Sequence, residues 1–433
     1  MTSTLAGFAD LGVPAPLVTA LDRSGITTPF PIQSATLPDS LAGRDVLGRG
    51  RTGSGKTIAF GLPMLAALAT SKMRREPSRP RALVLVPTRE LANQVADALT
   101  PLARALSLNV TTVIGGAGQR PQVDSLRRGT DVLVACPGRL EDLIRQRHCR
   151  LDRVEVTVVD EADLMADLGF LPAVQRLLDQ TPKGGQRLLF SATLDHGIDG
   201  LVRRYLNDPV THAVDSEASA PPELDHHVLT VSTGDKPAIV HQLASGNQRA
   251  LLFTRTKHGA KKLAARLSAA GIPTTELHGN LAQAARERNL AAFADGSARV
   301  LVATDIASRG IHVDDIALVV HVDPPAEHKA YLHRSGRTAR AGASGIVVTV
   351  ATPEQVKGVH ALARLARVHP TTTKVTPGHS LLQELSGPPQ ALSFTPAAKP
   401  VPSKPLATRP RRPEHPRRTG RTRTARGSSR SSR

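Results

Sequence analysis

Tryptophan is absent from the 433 residues, tyrosine occurs twice, and aromatic residues make up only 2%. Such a chain cannot hold nucleic acid mainly by stacking bases on aromatic platforms, so any grip on a polyanion has to run through the backbone and its charge. Cysteine is nearly missing as well. Cys136 and Cys149 are too few for a cysteine-built zinc site and are spaced unlike a redox pair, so both are expected as reduced thiols. No uninterrupted apolar run approaches the roughly 18 residues that a membrane span needs. The opening MTSTLAGFADLGV has neither the basic n-region nor the long apolar h-region of a secretory signal. A soluble, cytoplasmic protein is the expectation. Acidic residues are outnumbered, 37 against 56 basic ones, giving a net charge of +19. That excess points to a polyanionic partner, with nucleic acid ahead of an anionic membrane surface.

Hydrophobic residues, by contrast, reach 40% over a length that exceeds what one core usually serves, so two large domains are expected. From residue 45 the runs DVLG, ALVLVP, TTVIGG, DVLVACP, VEVTVVDE and RLLFSAT alternate with longer Ala/Leu/Arg stretches. This is the rhythm of strands and crossover helices in a parallel sheet, whose ligands bind off the carboxyl ends of the strands. Residues 212–223, HAVDSEASAPPE, break the pattern as a linker would. HHVLTV, ALLFTRT, TTELHG, ARVLVATD, ALVVHVD and GIVVTVAT then restart it. The expected division is 1–211, a linker at 212–223, a second α/β unit at 224–370, and a disordered tail at 371–433. From Lys399 onward the tail carries twelve Lys/Arg against the single acid Glu414, supplying +11 of the +19 charge. Composition of this kind builds no core and suits nonspecific contact with phosphates.

GRTGSGKT, residues 50–57, lies between a strand-like run and a helical stretch, which is the setting of a phosphate loop. Gly53, Ser54 and Gly55 expose backbone N–H groups as an anion nest, Lys56 reaches terminal phosphates, and Thr57 ligates Mg²⁺. VVDEAD, residues 158–163, sets two adjacent carboxylates at a strand end. Asp160 is read as the metal partner and Glu161 as the base that orients water. The two motifs together imply Mg²⁺-dependent hydrolysis of a nucleoside triphosphate.

With these residues, and others in the same order from Phe8 to Arg340, the chain resembles the DEAD-box RNA helicases. The resemblance implies two tandem RecA-like α/β domains that bind ATP and RNA. GITTPFPIQ, residues 25–33, is similar to the family's Q motif, with Phe8 at the upstream aromatic position. Its Gln33 would read adenine, since a primary amide pairs with both N6 and N7. Without the resemblance, Gln33 reads as a helix cap.

The resemblance further implies RNA-backbone contacts at Pro87, Thr88 and Arg89 of PTRELA, at Gly115 and Gly116, and at Pro137, Gly138 and Arg139 of CPGR. In the second unit it implies Arg255, His278, Gly279, Gln283, Arg286 and Thr304. Asp305 joins the nucleotide contacts. Ser191 and Thr193 of SAT, with His333, would couple hydrolysis to unwinding, and Arg337 and Arg340 would be arginine fingers on the γ-phosphate. Several positions depart from the family pattern: Gly50 and Arg51 replace Ala and Gln, Phe30 replaces Thr, Leu164 replaces Arg, and Cys136 replaces Thr. His312 stands where Asp is usual, which implies weaker ATP affinity unless Asp314 or Asp315 compensates. The expected function is ATP-dependent unwinding of RNA by a monomer with little sequence preference. A DNA-acting relative and an RNA-stimulated ATPase that does not unwind are the alternatives. The physiological RNA stays open, as do partners in ribosome assembly or RNA decay.

Overall fold

In the first half, β-branched and leucine-rich tetrads make the strands β1 (Val46–Arg49), β2 (Ala82–Leu85), β3 (Val110–Val113), β4 (Val132–Ala135), β5 (Val156–Val159), β6 (Gln186–Ser191) and β7 (Val210–Ala213). The second half repeats the arrangement with β8 (Leu224–Thr230), β9 (Ala250–Phe253), β10 (Thr274–Leu277), β11 (Val300–Ala303), β12 (Leu318–His321), β13 (Gly345–Ala351) and β14 (Thr371–Lys374). The computed structural model describes residues 6–50, 53–193, 196–214, 224–308, 316–339 and 344–389.

All strand pairs are parallel, and the sheets run β3-β4-β2-β5-β6-β1-β7 and β10-β11-β9-β12-β13-β8-β14. This is the tandem two-sheet α/β architecture expected from the alternation of runs. Parallel sheets bury both faces, and the side chains divide with period two. Val46, Val84, Val134 and Val158 enter one cluster, while Leu47, Leu85, Leu133 and Val159 enter the other.

Register fixes where chemistry can sit. Arg49 pairs with Ser191, and Leu85 with both Ala135 and Val159. The strands therefore end together, and the loops after β1, β2, β3, β4, β5 and β6 emerge along one edge. Gly48 is required within β1, because a Cβ there would meet the Phe190 ring. That ring tilts against Phe60, with centroids 5.7 Å apart.

Two expected boundaries move. The first sheet continues through Ala213, two residues into the expected linker. The tail does not start at 371: Thr371–Lys374 pairs with β8, and the helix Ser380–Ser386 buries Leu382 and Leu385 against the second core. The strand TTTK escapes notice because an edge strand facing solvent shows no apolar alternation. Residues 390–433, which hold the arginine-rich segment, lie outside the described residues. Among the described residues no helix is long and apolar enough to cross a membrane.

Candidate active site and nucleic-acid interface

The loop after β1 turns on two glycines in the left-handed region, Gly53 at φ 86° and Gly55 at φ 87°, where other residues are strained. Gly55 leads into the helix Lys56–Thr70. Lys56 is 5% exposed, and its Nζ donates to Gly50 O at 3.1 Å and to Glu161 Oε1 at 3.0 Å. Burial alone would lower the Lys56 pKa, but the carboxylates of Glu161 and Asp160 override it and raise the value. Ser54 Oγ is buried and finds no hydrogen-bond partner among the described residues. Thr57 follows on the same helix, half-buried. Arg51 and Thr52 lie outside the described residues.

Asp160, Glu161 and Asp163 follow β5 and are all buried. Glu161 takes φ 52° and ψ 50°, a strained backbone for a residue with a Cβ that costs on the order of 1–2 kcal/mol. Strain of this kind clusters at functional sites. Burial pushes the Asp160 carboxyl up to about 7, with the Lys56 ammonium opposing and the Glu161 charge adding to it. Among the described residues Lys56 is the positive charge that acts on it, and a hard dication would add to that. Magnesium takes one or two carboxylates with phosphate oxygens and water rather than a protein cage. Among the described residues no group of three or more His, Cys, Asp or Glu side chains could hold a metal ion. Asp160 and Thr57 fit the ion.

Asp163 ties this strand end to the next. Its Oδ2 accepts from Thr193 N at 3.1 Å and from Thr193 Oγ1 at 3.2 Å, and its own N–H donates to Ser191 Oγ at 3.2 Å. The Ser191 hydroxyl in turn donates to Thr193 O at 2.7 Å. Sequence reasoning named Ser191 and Thr193 but passed over Asp163, although it is the last letter of the same tetrad.

Gln33 takes the helix-cap role and touches the phosphate loop. Its Oε1 accepts from Phe30 N at 2.8 Å, capping the helix Pro31–Leu41, while its Nε2 donates to Gly55 O at 2.9 Å. Phe8 is 3% exposed inside the first core cluster. Its place in the motif order said nothing about this packing.

Past β2, Pro87 is buried and Thr88 caps the helix Arg89–Ala105 by accepting from Leu91 N at 3.2 Å. The Arg89 guanidinium lies against Gly115 and Gly116, where a side chain on Gly116 would collide with it. Arg89 Nη1 also donates to Gln283 Oε1 at 3.2 Å. Three further residues missed by the sequence reading complete this contact: Arg286 Nε donates to Glu90 Oε1 at 2.7 Å, and Asn93 Nδ2 to Glu287 Oε1 at 3.3 Å. Gln283 and Arg286, expected on RNA, thus engage the first half's PTRELA helix.

After β4, Cys136 stands at the cap of the helix Pro137–Arg145 and makes no side-chain cap bond. Burial pushes its thiol up to about 12, so it stays protonated. Gly138 is exposed, and Arg139 keeps a buried Nη1 without a partner among the described residues. In the second half Arg255 is exposed, with its N–H on Asp323 Oδ2 at 2.9 Å. His278 is buried and Gly279 exposed. Thr304 N donates to Leu277 O at 3.2 Å. Asp305 is held by Arg334, with Nε on Oδ1 at 2.5 Å and Nη2 on Oδ2 at 2.8 Å, a bidentate pair that motif order did not announce. Arg337 is 6% exposed, and its Nε donates to His333 O at 3.3 Å. Arg340, His312, Asp314 and Asp315 lie outside the described residues.

Comparison with known proteins agrees with this geometry. The DEAD/DEAH box helicase profile matches residues 30–201, and the helicase conserved C-terminal domain profile matches residues 235–342. The chain is 36% identical over 363 residues to DEAD-box ATP-dependent RNA helicase 30 of Arabidopsis thaliana, covering 83% of this chain but only 61% of that protein's length. It is 38% identical over 351 residues to ATP-dependent RNA helicase RhlB of Pseudomonas syringae pv. tomato, covering 79% of this chain and 88% of that one. The fold is similar to that of S. cerevisiae Dbp5 bound to RNA and ADP BeF3, with a TM-score of 0.76 at 24% identity over 87% of this chain and 98% of that one. Two helicase profiles in tandem over two like sheets, with the phosphate loop and acidic strand end joined at Lys56 and Glu161, establish that the chain belongs to the DEAD-box helicase family.

Proposed function

We propose that the chain is an ATP-dependent RNA helicase, coupling Mg²⁺-ATP binding and hydrolysis to local unwinding or remodelling of RNA. One observation carries the reading: Lys56, Asp160 and Glu161 form a single buried cluster against the phosphate loop. A cation for the terminal phosphates and a carboxylate for the attacking water are what hydrolysis requires of the protein. Glu161, released from Lys56 when phosphate arrives, orients that water. Asp160 and Thr57 would hold Mg²⁺, which would supply positive charge against the phosphates.

Gln33 gives selection for adenine. Arg337 and Arg340 act as arginine fingers, a contribution of roughly 10³ to 10⁵ in rate, so turnover without RNA should be slow. Pro87, Thr88, Arg89, Gly115, Gly116, Pro137, Gly138 and Arg139, with Arg255, His278, Gly279, Gln283, Arg286 and Thr304, form the RNA track. Contacts to sugar and phosphate explain low sequence preference, with the 2′-hydroxyl marking RNA. The basic tail adds nonspecific phosphate binding, and the protein acts as a cytoplasmic monomer.

The test is steady-state ATP turnover without nucleic acid, with single-stranded RNA, and with DNA of the same sequence, using Glu161→Gln as the blank. Stimulation by RNA that disappears in the blank supports the reading. Equal stimulation by DNA moves it to a DNA-acting motor, and stimulation by neither to a non-catalytic binder.

A further inference from the structure

Phe30 is 53% exposed, and Leu332 and Leu365 are the other large apolar side chains left open among the described residues. Among the described phenylalanines Phe30 alone is exposed, and it lies beside the phosphate loop. The ring's place is fixed on three sides. Pro31 holds Phe30 in an extended backbone at φ −70° and ψ 158°. Its N–H is bound to Gln33 Oε1 at 2.8 Å. Its edge rests on Gly55, where an added Cβ would lie 2.8 Å from Phe30 Cδ2 and 2.5 Å from Gln33 Nε2. Ring, primary amide and phosphate-loop turn are one continuous surface.

We infer that Phe30 is the aromatic wall of the base pocket, stacking on the base of the nucleotide whose phosphates the loop holds. This rests on the proposed ATP reading. The aromatics of the first core cluster are buried: Phe8 is 3% exposed, Phe190 1% and Phe60 0%. Gln33 is 1% exposed beneath this surface, so the Phe30 ring is the face that an arriving base meets first. Gln33 and Phe30 divide the work. An amide distinguishes bases by donor and acceptor pattern, whereas an aromatic face accepts any base.

The test measures KM and kcat for ATP with saturating single-stranded RNA, and inhibition of that turnover by GTP and by inorganic tripolyphosphate. Phe30→Ala should raise the ATP KM about 5- to 150-fold and weaken GTP inhibition in proportion, since base stacking is worth about 1–3 kcal/mol by alanine substitution. Its kcat should stay within about twofold, tripolyphosphate inhibition should not change, and Phe30→Tyr should restore the wild-type KM. An unchanged or lowered ATP KM in Phe30→Ala overturns the inference, as does equal weakening of tripolyphosphate, which would mean a damaged loop. Wild-type turnover abolished by Lys56→Ala is the prior control. Its absence removes the ATP reading and this inference together, whereas intact turnover with an unchanged KM removes this inference alone.

Discussion

Arg286 and Glu90 are ion-paired at 2.7 Å across 196 positions of sequence, joining the helix after β2 to a helix of the second sheet. Their side chains are 11% and 5% exposed, so the pair is largely out of water. Arg89 with Gln283 and Asn93 with Glu287 flank it. Residues whose motifs point toward RNA from either half thus hold each other.

Removing one member of such a pair leaves a charge poorly solvated, which costs up to about 3–5 kcal/mol where burial is complete. Glu90→Gln and Arg286→Gln are each expected to lower RNA-stimulated ATP turnover, and the double variant to lose little more than either. A double-mutant cycle measures this. Additive losses would show that the two side chains act independently.

Thr193→Ala deletes one of the two bonds from the SAT turn to Asp163 Oδ2, while the Thr193 N–H bond remains. A bond to a charged acceptor is worth about 1.5–3 kcal/mol. Duplex unwinding is expected to fall at least tenfold and ATP turnover no more than about threefold. Strand displacement and phosphate release assayed on the same sample decide it, and parallel losses would rule out a coupling role.

The second half should lose stability in mild acid. His226 Nδ1 sits 3.0 Å from Tyr331 Oη, and His321 Nδ1 sits 3.0 Å from Thr349 Oγ1. Burial lowers His226 to about 4 and drives His321 well below its ordinary value; Arg334 adds to the effect at His321, while Asp225 opposes it at His226. Folded, both rings are neutral; unfolded, each takes a proton near 6.5. The unfolded chain therefore binds more protons below that pH. Stability is complete above about 6.5 and declines as pH falls toward 4, by on the order of 3 kcal/mol at His226. Urea midpoints at pH 7.5 and 5.0 should show the decline, reduced in His226→Asn. An identical slope in the variant would assign it to other groups.

Ending the chain after Pro370 removes β14 and exposes the surface covered by Leu382 and Leu385, each 3% exposed. Burial of such side chains is worth about 1.5–3 kcal/mol apiece. The melting temperature is expected to drop by more than about 5 °C. Ending after Pro389 should leave it unchanged; equal melting of the two truncations would mean that β14 and its helix add nothing to the second core.

What could be read from sequence was whatever a local pattern encodes. The loop at 50–57 announces itself because left-handed turns at Gly53 and Gly55 need glycine, and β5 because four buried residues precede two carboxylates. What escaped depends on partners far along the chain. Arg286 reads as an RNA contact until Glu90 is found opposite it, and Asp305 as a nucleotide contact until Arg334 is found holding it. Phe8 sat at the right place in the motif order yet turned inward, since apolar burial outweighs order. Phe30 was noted only as a departure, because sequence does not say which side chains remain exposed.

Numbered from its own first strand, each sheet runs 3-4-2-5-6-1-7. After β1 comes GRTGSGKT; after β8, at the corresponding turn, comes the loop Val231–Asp235 with a single glycine. One framework appears twice, and only one copy keeps the anion-binding turn. The chain is in this sense a heterodimer made as a single polypeptide. Its two unlike partners are always in equal number and cannot dilute away from each other, so pairing between them should not depend on protein concentration.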